Sequence, residues 1–501
     1  MALIALLVST AIAAGDCGGG RMVCSGIPAE MNVALFRNGS FELGARPVPV
    51  PGPNQLLLRV EAAALNRIDA MMARGKLGEV DVVGLDVAGV VVALGPGCGG
   101  GGDGGGDGEA VALDRIGVGS RVMALLMQGG YAGYALVHEL DAMPVPASLS
   151  LAEAAGVPEA WLTAFQLLHA VGDAKPGQRL LLHAAGSGVG TAALQLAVAH
   201  GLRVAAVAGA ARKLVLAAEL GAELALDRKE VLAAGLAPAG ALARALAPSF
   251  APERGGHIDL VLDCVGGGDV YAAAHAEVLA TDGVWVLFGL LGGAVPGPPG
   301  HALFGALMRK RLQLRATTLR SRSPAYKRAL QRRLAEEVLP FFRGGGLPPR
   351  RRPPLRQGGV QKKEEEREEM GHLLGVTGAE EKQEHWLEEE REAAFRAACP
   401  GGVRPRGATP CFRVRLDSVF PLREAQAAHA RMLANGNLGK IVLDAMHEGR
   451  PGLSCACEAP AAAAAPPAGG EGQQQQSAPE AAGGEGGGDG ALGDVNNAVF
   501  D

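Results

Sequence analysis

The sequence predicts an α/β protein in which a β-rich unit is followed by a doubly wound parallel sheet, decorated by low-complexity segments. Between residues 31 and 143 the short apolar runs QLLLRVEAAAL, VGLDVAGVVVALG, SRVMALL and YAGYALV are broken by Gly and Pro, the spacing of a barrel-like β unit. Further on the texture changes. RLLLHAA (179–185), RVAAVAG (203–209), IDLVLDCV (258–265) and GVWVLFG (283–289) are near-continuous apolar runs. The helical stretches VGTAALQLAVAHG, ARKLVLAAELG and YAAAHAEVLA separate them. Strands buried on both faces and alternating with helices mean a parallel sheet covered on two sides.

The two units are joined by PASLSLAEAAGVPEAWLTAFQLLHAV, helical in the spacing of Trp161, Phe165 and Leu168. The segment DSVFPLREAQAAHARMLANGNLGKIVLD (417–444) closes the folded part with a helix, an N-G turn and a strand. Its distance in sequence from the first β unit predicts that this unit is discontinuous.

Composition bounds the function. The 501 residues include Gly 75 and Pro 31 without a G-X-Y period, which excludes collagen and marks low-complexity segments. These are residues 1–30, the Gly-rich insert 98–110, the charged stretch 344–408 and the tail 447–501; the rest suffices for two domains. Aromatics are only 4%, so the core is aliphatic. Lys+Arg 47 against Asp+Glu 52 gives a net charge of −5, too balanced for a dedicated nucleic-acid binder. No apolar run reaches the roughly 18–20 residues of a membrane span.

The 8 cysteines form no C-x-x-C, and no His pair with ligand spacing stands beside them. A zinc site and a disulfide framework are therefore not expected, and a reducing compartment is. MALIALLVSTAIAAG has the apolar body of a signal peptide without its basic start, so residues 1–30 read as a leader or as disorder.

The chemistry concentrates in LLLHAAGSGVGTAALQLA, a strand, a Gly-rich turn and a helix. Gly186, Gly188 and Gly190 let the backbone turn tightly and approach a pyrophosphate at the positive helix N-terminus. An ordinary tight βα turn is the competing reading. At the end of the next strand an NAD site places an acid for the ribose hydroxyls. Here Ala210 and Ala211 stand there, with Arg212 and Lys213 beside them and Arg228 after the following strand. Cations suit a 2′-phosphate and hence NADPH, although solvated helix-start charges would look the same. In the first unit Asn66, Arg67 and Asp69 interrupt an apolar stretch, and spacing alone favours helix capping. His138, His169 and His183 lie in apolar runs and read as satisfied core histidines.

The stretches AAALNRIDAMMARG, VGLDVAGVVVALGPG, GVPEAWLTAFQLLHAVG, HAAGSGVGTAALQLA, LVLDCVGG, VLFGLLGG, LRSR and ANGNLGKIVLD together resemble the medium-chain dehydrogenase/reductases. They are most similar to the zinc-free NADPH:quinone oxidoreductases related to zeta-crystallin, in the damage-inducible branch. The resemblance implies a GroES-like catalytic domain over 31–154, a Rossmann domain over 155–320, and completion of the catalytic domain by 321–343 and 409–446. Zinc-dependent members carry Cys at the position of Asn66 and GHE where Gly84-Leu85-Asp86 stands, with a four-Cys lobe that has no counterpart after Gly95.

The resemblance further implies that hydride passes from NADPH to a quinone or α,β-unsaturated carbonyl. Asn66 and Asp69 are the expected catalytic residues. The expected cofactor site is Thr163, Gly186, Ser187, Gly188, Val189, Gly190, Gly209, Arg212, Lys213, Arg228, Phe288, Gly289 and Asn437. Leu77 stands where the branch has a Tyr beside the substrate, and Arg228 where it often has a Tyr on the cofactor phosphate. Competing readings are an enoyl-thioester reductase and a non-catalytic NADPH- or RNA-binding protein. For the latter speak Leu77 and the basic run Arg309 to Arg333, a run poor in aromatics and better read as a solvated face. A small-molecule substrate, a homodimer and a cytoplasmic location complete the expectations.

Overall fold

The computed structural model describes residues 21–75, 80–98, 116–229, 238–253, 255–266, 271–293, 300–342, 411–446 and 454–458. The expectations for Leu77, for most of the Gly-rich insert and for the stretch 344–408 lie outside these residues.

Six strands form one all-parallel sheet in the order Leu224–Asp227, Arg203–Ala208, Arg179–Leu182, Ile258–Asp263, Leu279–Leu287, Gln313–Ala316. The apolar runs explain it. Leu180 and Leu182 enter the core on one face, Leu181 the core on the other, and all three are fully buried. Burial of such a side chain stabilises by about 1.5–3 kcal/mol. The chain order reverses between Arg179–Leu182 and Ile258–Asp263, so the crevice at their carboxyl ends is the switch point where such sheets bind ligands.

The second sheet has nine strands and is discontinuous in sequence, as expected. Its main path runs Leu416–Pro421, Lys440–Asp444, Gln55–Ala64, Asp86–Leu94, Arg21–Ser25, Ser454–Glu458, and Val442 of the late strand pairs antiparallel with Ala64. Arg121–Leu125, Tyr134–His138 and Ala142–Pro144 complete it. The register between Gln55–Ala64 and Asp86–Leu94 shifts twice, by an extra residue in Asp86–Leu94 opposite Leu57/Leu58 and by one in Gln55–Ala64 between Val60 and Ala62, and such bulges bend the sheet.

Two expectations need correction here. Residues 21–25 and 454–458, assigned to a disordered leader and tail, form an antiparallel pair at the sheet's edge, with Arg21 opposite Glu458 and Val23 bridging to Ala93. Cys411, placed with the thiols of a reducing compartment, is disulfide-bonded, while among the described residues Cys98 and Cys264 are free.

The helix Pro158–Phe165 opens on Pro158 and continues as a π-helical turn through Val171. It ties the units together, because Trp161 lies edge-on to Phe342 and Phe412 at 4.6 and 5.5 Å between ring centroids. Phe412 donates its backbone N–H to Phe341 at 3.0 Å, so the chain leaves and re-enters the fold at one point.

Candidate functional site

The site starts at the Gly-rich turn. Ser187 caps the helix Gly188–Ala199, its hydroxyl accepting from the Gly190 N–H at 2.9 Å. A Cβ on Gly190 would come within 2.2 Å of the Ala184 carbonyl oxygen, so only glycine lets the helix sit this close to its strand. Gly186 and Gly188 make room for two lysines: a Cβ on either would stand 2.7 Å from Lys213 Cγ or 2.6 Å from Lys440 Cδ.

A strand-like crossing joins the turn to the other unit. Ser187 bridges Gly439, whose N–H donates to the Gly186 carbonyl at 2.9 Å. Asn437 holds this loop, its side-chain amide donating to the Gly439 carbonyl at 2.6 Å.

Around Lys440 lies a buried polar cluster. Its ammonium donates to Asn66 Oδ1 at 2.7 Å and to Asp86 Oδ2 at 2.9 Å. The Asn66 amide donates to the same Asp86 oxygen at 3.0 Å, and the Glu159 backbone N–H to Asp86 Oδ1 at 2.8 Å. Thr163 hands its hydroxyl proton to Glu159 Oε1 at 3.2 Å. Burial pushes the Glu159 carboxyl up to about 7, the Asp86 charge adding to this while Lys440 and Thr163 oppose it.

Asn66 begins the helix Arg67–Ala73, but its carboxamide is turned into this cluster rather than used as a cap. Asp69 departs from the expected pairing with it in a catalytic centre. The Asp69 side chain is fully buried and accepts the Asn66 backbone N–H at 2.7 Å and the Tyr131 hydroxyl at 2.9 Å. His429 meets the Tyr131 hydroxyl from the far side at 3.1 Å. Burial drives Asp69 to about 7 and His429 to about 4. Asp69 thus braces the backbone that carries Asn66, its carboxyl still close enough to feel the charges of Asp86 and Lys440.

A second group, of cations, borders the Gly-rich turn. Lys213 donates to the Asn435 carbonyl at 2.9 Å, Arg212 to the Gly436 carbonyl and Arg67 to the Asn435 side chain. Arg228 lies over Gly209, with guanidinium atoms 3.4 to 3.6 Å from where a Cβ would be. Desolvation, then the charges of Arg212, Arg67 and Arg228, hold the Lys213 ammonium below its ordinary value, with Asp417 opposing them.

Phe288 and Gly289 lie at the same end of the parallel sheet. Phe288 donates its N–H to the Asp263 carbonyl at 2.8 Å, and Gly289 packs on Cys264, whose thiol burial pushes up to about 12. Val189 packs half-buried against the larger core.

The structure therefore brings Asn66, Thr163, Gly188 and Lys440 into one cluster and Gly186, Gly209, Arg212, Lys213 and Arg228 into another. Sequence reasoning missed Lys440 and Glu159 and gave Asp86 and Arg67 no part in a site. The signal for Lys440 and Asp86 was present: single opposite charges inside the apolar strands LDVAGVVVAL and KIVLD require each other. Of the histidines read as core residues, His183 is buried against His275 at 2.8 Å, whereas His169, between Phe165 and His200, and His138, which accepts from the Leu140 N–H, are only half-buried.

Among the described residues no three His, Cys, Asp or Glu side chains are grouped to hold a metal. The oxygens of Asn66 and Asp86 that would face a metal accept instead from the Lys440 ammonium, so these residues do not fit a zinc ion. The Gly-rich turn at the switch point and the cations beside it do fit a phosphorylated dinucleotide.

Two family models match the chain: the alcohol dehydrogenase GroES-like domain over residues 52–147 and zinc-binding dehydrogenase over 188–335. A quinone oxidoreductase of Pongo abelii is 30% identical over 189 residues, covering 37% of this chain and 53% of that protein. A pikromycin polyketide synthase component of Streptomyces venezuelae is 35% identical over 191 residues, 36% of this chain and 5% of that protein. The chain thus spans about half of one relative's length and a small part of the other's. The solved quinone oxidoreductase of Thermus thermophilus, also determined in complex with NADPH, is 26% identical with a TM-score of 0.51, covering 83% of this chain and 100% of that one.

A GroES-like barrel completed by its C-terminal segment around a dinucleotide-binding sheet defines the class. The chain belongs to the medium-chain dehydrogenase/reductase superfamily. Its relatives include proteins described as quinone oxidoreductases.

Proposed function

We propose that the protein is a zinc-independent, NADPH-dependent reductase of quinones or α,β-unsaturated carbonyls. The observation that carries the reading is the Gly-rich turn at the switch point with Arg212, Lys213 and Arg228 beside it, where an NAD site has an acid. Bound NADPH supplies a hydride from its nicotinamide ring. The chain's own part is to hold and to protonate. Asn66, fixed by Lys440 and Asp86, presents a carboxamide that cannot rotate, which suits orientation of a planar ring. Glu159 is only half-buried and holds a proton on its carboxyl near neutrality, available to the oxyanion that reduction creates. Asp69 acts on Asn66 as a positioning residue. Thr163, Ser187, Val189, Phe288, Gly289 and Asn437 line the cofactor's path in this reading.

The zinc-free part is supported by the Lys440 ammonium, which supplies at Asn66 and Asp86 the positive charge a metal would bring. Dialysis against a chelator is expected to leave activity unchanged; activity lost with stoichiometric zinc overturns it. The reading carries with it a small-molecule substrate, a homodimer and a cytoplasmic location. Among the described residues no helix is long and apolar enough to cross a membrane.

The polyketide synthase match favours a second reading, reduction of an enoyl thioester by the same cofactor site. A steady-state screen of quinones, enones and enoyl thioesters with NADPH and NADH decides. Turnover of quinone or enone with NADPH is expected. Turnover confined to thioesters supports the second reading, and NADPH binding without any turnover points to a non-catalytic protein.

A further inference from the structure

Several cations of this fold are matched by carboxylates. Arg179 grips Asp259 in a two-pronged pair, Arg328 pairs with Asp141 at 2.7 Å, Arg311 with Asp282 at 2.8 Å, and Lys440 with Asp86. Four side chains near the Gly-rich turn, close enough to act on one another's charge, are not among them. Arg67, Arg212, Lys213 and Arg228 form no ion pair with a carboxylate among the described residues. The one acid nearby, Asp417, is taken by Arg431 through two bonds of 2.5 and 2.9 Å and by the Leu438 N–H.

Three of the four cations converge on two residues. Arg67 bonds the Asn435 side chain, Lys213 its backbone carbonyl and Arg212 the next carbonyl. Neutral carbonyl oxygens satisfy the donors but leave the charge uncompensated. The three also come from different parts of the chain. Arg212 and Lys213 open a helix of the parallel sheet, whereas Arg67 opens the helix that Asn66 starts in the barrel unit. A carboxylate or a neutral residue at 67 would relieve the repulsion; an arginine adds to it. Such an arrangement suits a dianion and little else.

We infer that Arg67, reaching across from the barrel unit, is a specificity-determining residue that binds the 2′-phosphate of the dinucleotide together with Arg212 and Lys213. The inference rests on the reading of the site as a dinucleotide site and adds to it a contact from the unit that carries Asn66. The phosphate then bonds both units at once, so that preference for NADPH and alignment of Asn66 are linked through one helix, Arg67 being its first residue and Asn66 its cap.

The test is fluorescence titration of NADPH and NADH on the full-length wild type, Arg67→Ala and Arg67→Lys. A charge-assisted hydrogen bond contributes roughly 1.5 kcal/mol or more, so Arg67→Ala is expected to weaken NADPH about tenfold or more while NADH changes less than twofold. Arg67→Lys is expected to recover most of the loss, and added salt to weaken NADPH less in Arg67→Ala than in wild type. An unchanged melting temperature certifies that the variants fold. Equal losses for the two cofactors, as for a residue on the pyrophosphate, overturn the inference, as does unaltered NADPH binding. A wild type that binds neither cofactor overturns the dinucleotide reading itself, a result the variants are not needed to see.

Discussion

The two polar clusters that meet at the Gly-rich turn are built on opposite rules. Around Lys440 every charge has its counter-charge, the groups are buried, and donors meet acceptors at 2.7 to 3.0 Å. Around Asn435 the three converging cations are partly exposed and bonded only to neutral oxygens, the nearby Asp417 being held by Arg431. A buried ion pair is kept because removing either member strands the other in a medium of low dielectric. A partly hydrated set of like charges is tolerable at modest cost and becomes favourable when an anion arrives. The first cluster is thus a piece of architecture, and the second is a site waiting for charge.

This contrast orders the expected effects of mutation. Lys440→Met should be the most damaging, destabilising by about 3–5 kcal/mol because Asp86 is left buried and uncompensated. Urea unfolding measures it, and pairing with Asp86→Asn should recover part of the loss. A loss under 1 kcal/mol would show that water replaces the ammonium and that the cluster is no core element. In the other cluster Lys213→Ala should leave stability within about 0.5 kcal/mol. It should cost NADPH binding about 1.5–3 kcal/mol, roughly 10- to 150-fold, with NADH nearly unchanged. Equal losses for both cofactors would erase the distinction drawn between the clusters.

Smaller effects sharpen it. Tyr131→Phe removes a donor to Asp69 and should destabilise by about 1 kcal/mol, seen as a lowered urea midpoint. Glu159 is raised from an ordinary 4.5 to about 7, so its contribution to stability is complete below pH 4.5 and is lost as the pH rises through about 7. Comparison of wild type with Glu159→Gln from pH 5 to 8 should show a shallower decline in the variant, by about 1 kcal/mol after solvent screening. A parallel decline would mean that Glu159 titrates like a free surface acid. Smallest of all, deletion of 345–407 should leave NADPH affinity unaltered, since loop length enters stability only logarithmically. An NADPH-blind deletion would show that the excursion belongs to the site.

Much of the fold was legible because it rests on local pattern. The runs ending in Leu182, Ala208 and Asp263 could be read as doubly buried strands, and the Ser187 turn as the start of a helix. The late partner of the barrel was legible too, since Lys440–Asp444 is an apolar strand too far from other strands to be explained otherwise. What failed to show was pairing at a distance. Nothing near Cys24 or Ala456 suggested that those segments are each other's strands, because a short Ala- and Gly-flanked run has no pattern of its own. The same holds in the site. Asn66 and Asp69 are three apart in sequence and were read together, yet the helix sends one toward Lys440 and the other toward Tyr131. Arg67, between them, was noticed and left without a task, since its neighbours Lys213 and Asn435 are distant in the chain.

The closed point at Phe342 and Phe412 has a consequence for assembly. Because Phe342 and Phe412 are bridged, the chain departs from and returns to adjacent backbone positions. Severed between them, the protein becomes two polypeptides, one bearing the whole parallel sheet and the other three strands of the second sheet, Leu416–Pro421, Lys440–Asp444 and Ser454–Glu458. Their reunion would have to overcome only the entropy of bringing two molecules together, with Trp161 and its phenylalanines as the docking core. A fold with such a seam offers one place, beside Trp161, at which two polypeptides could meet to make it.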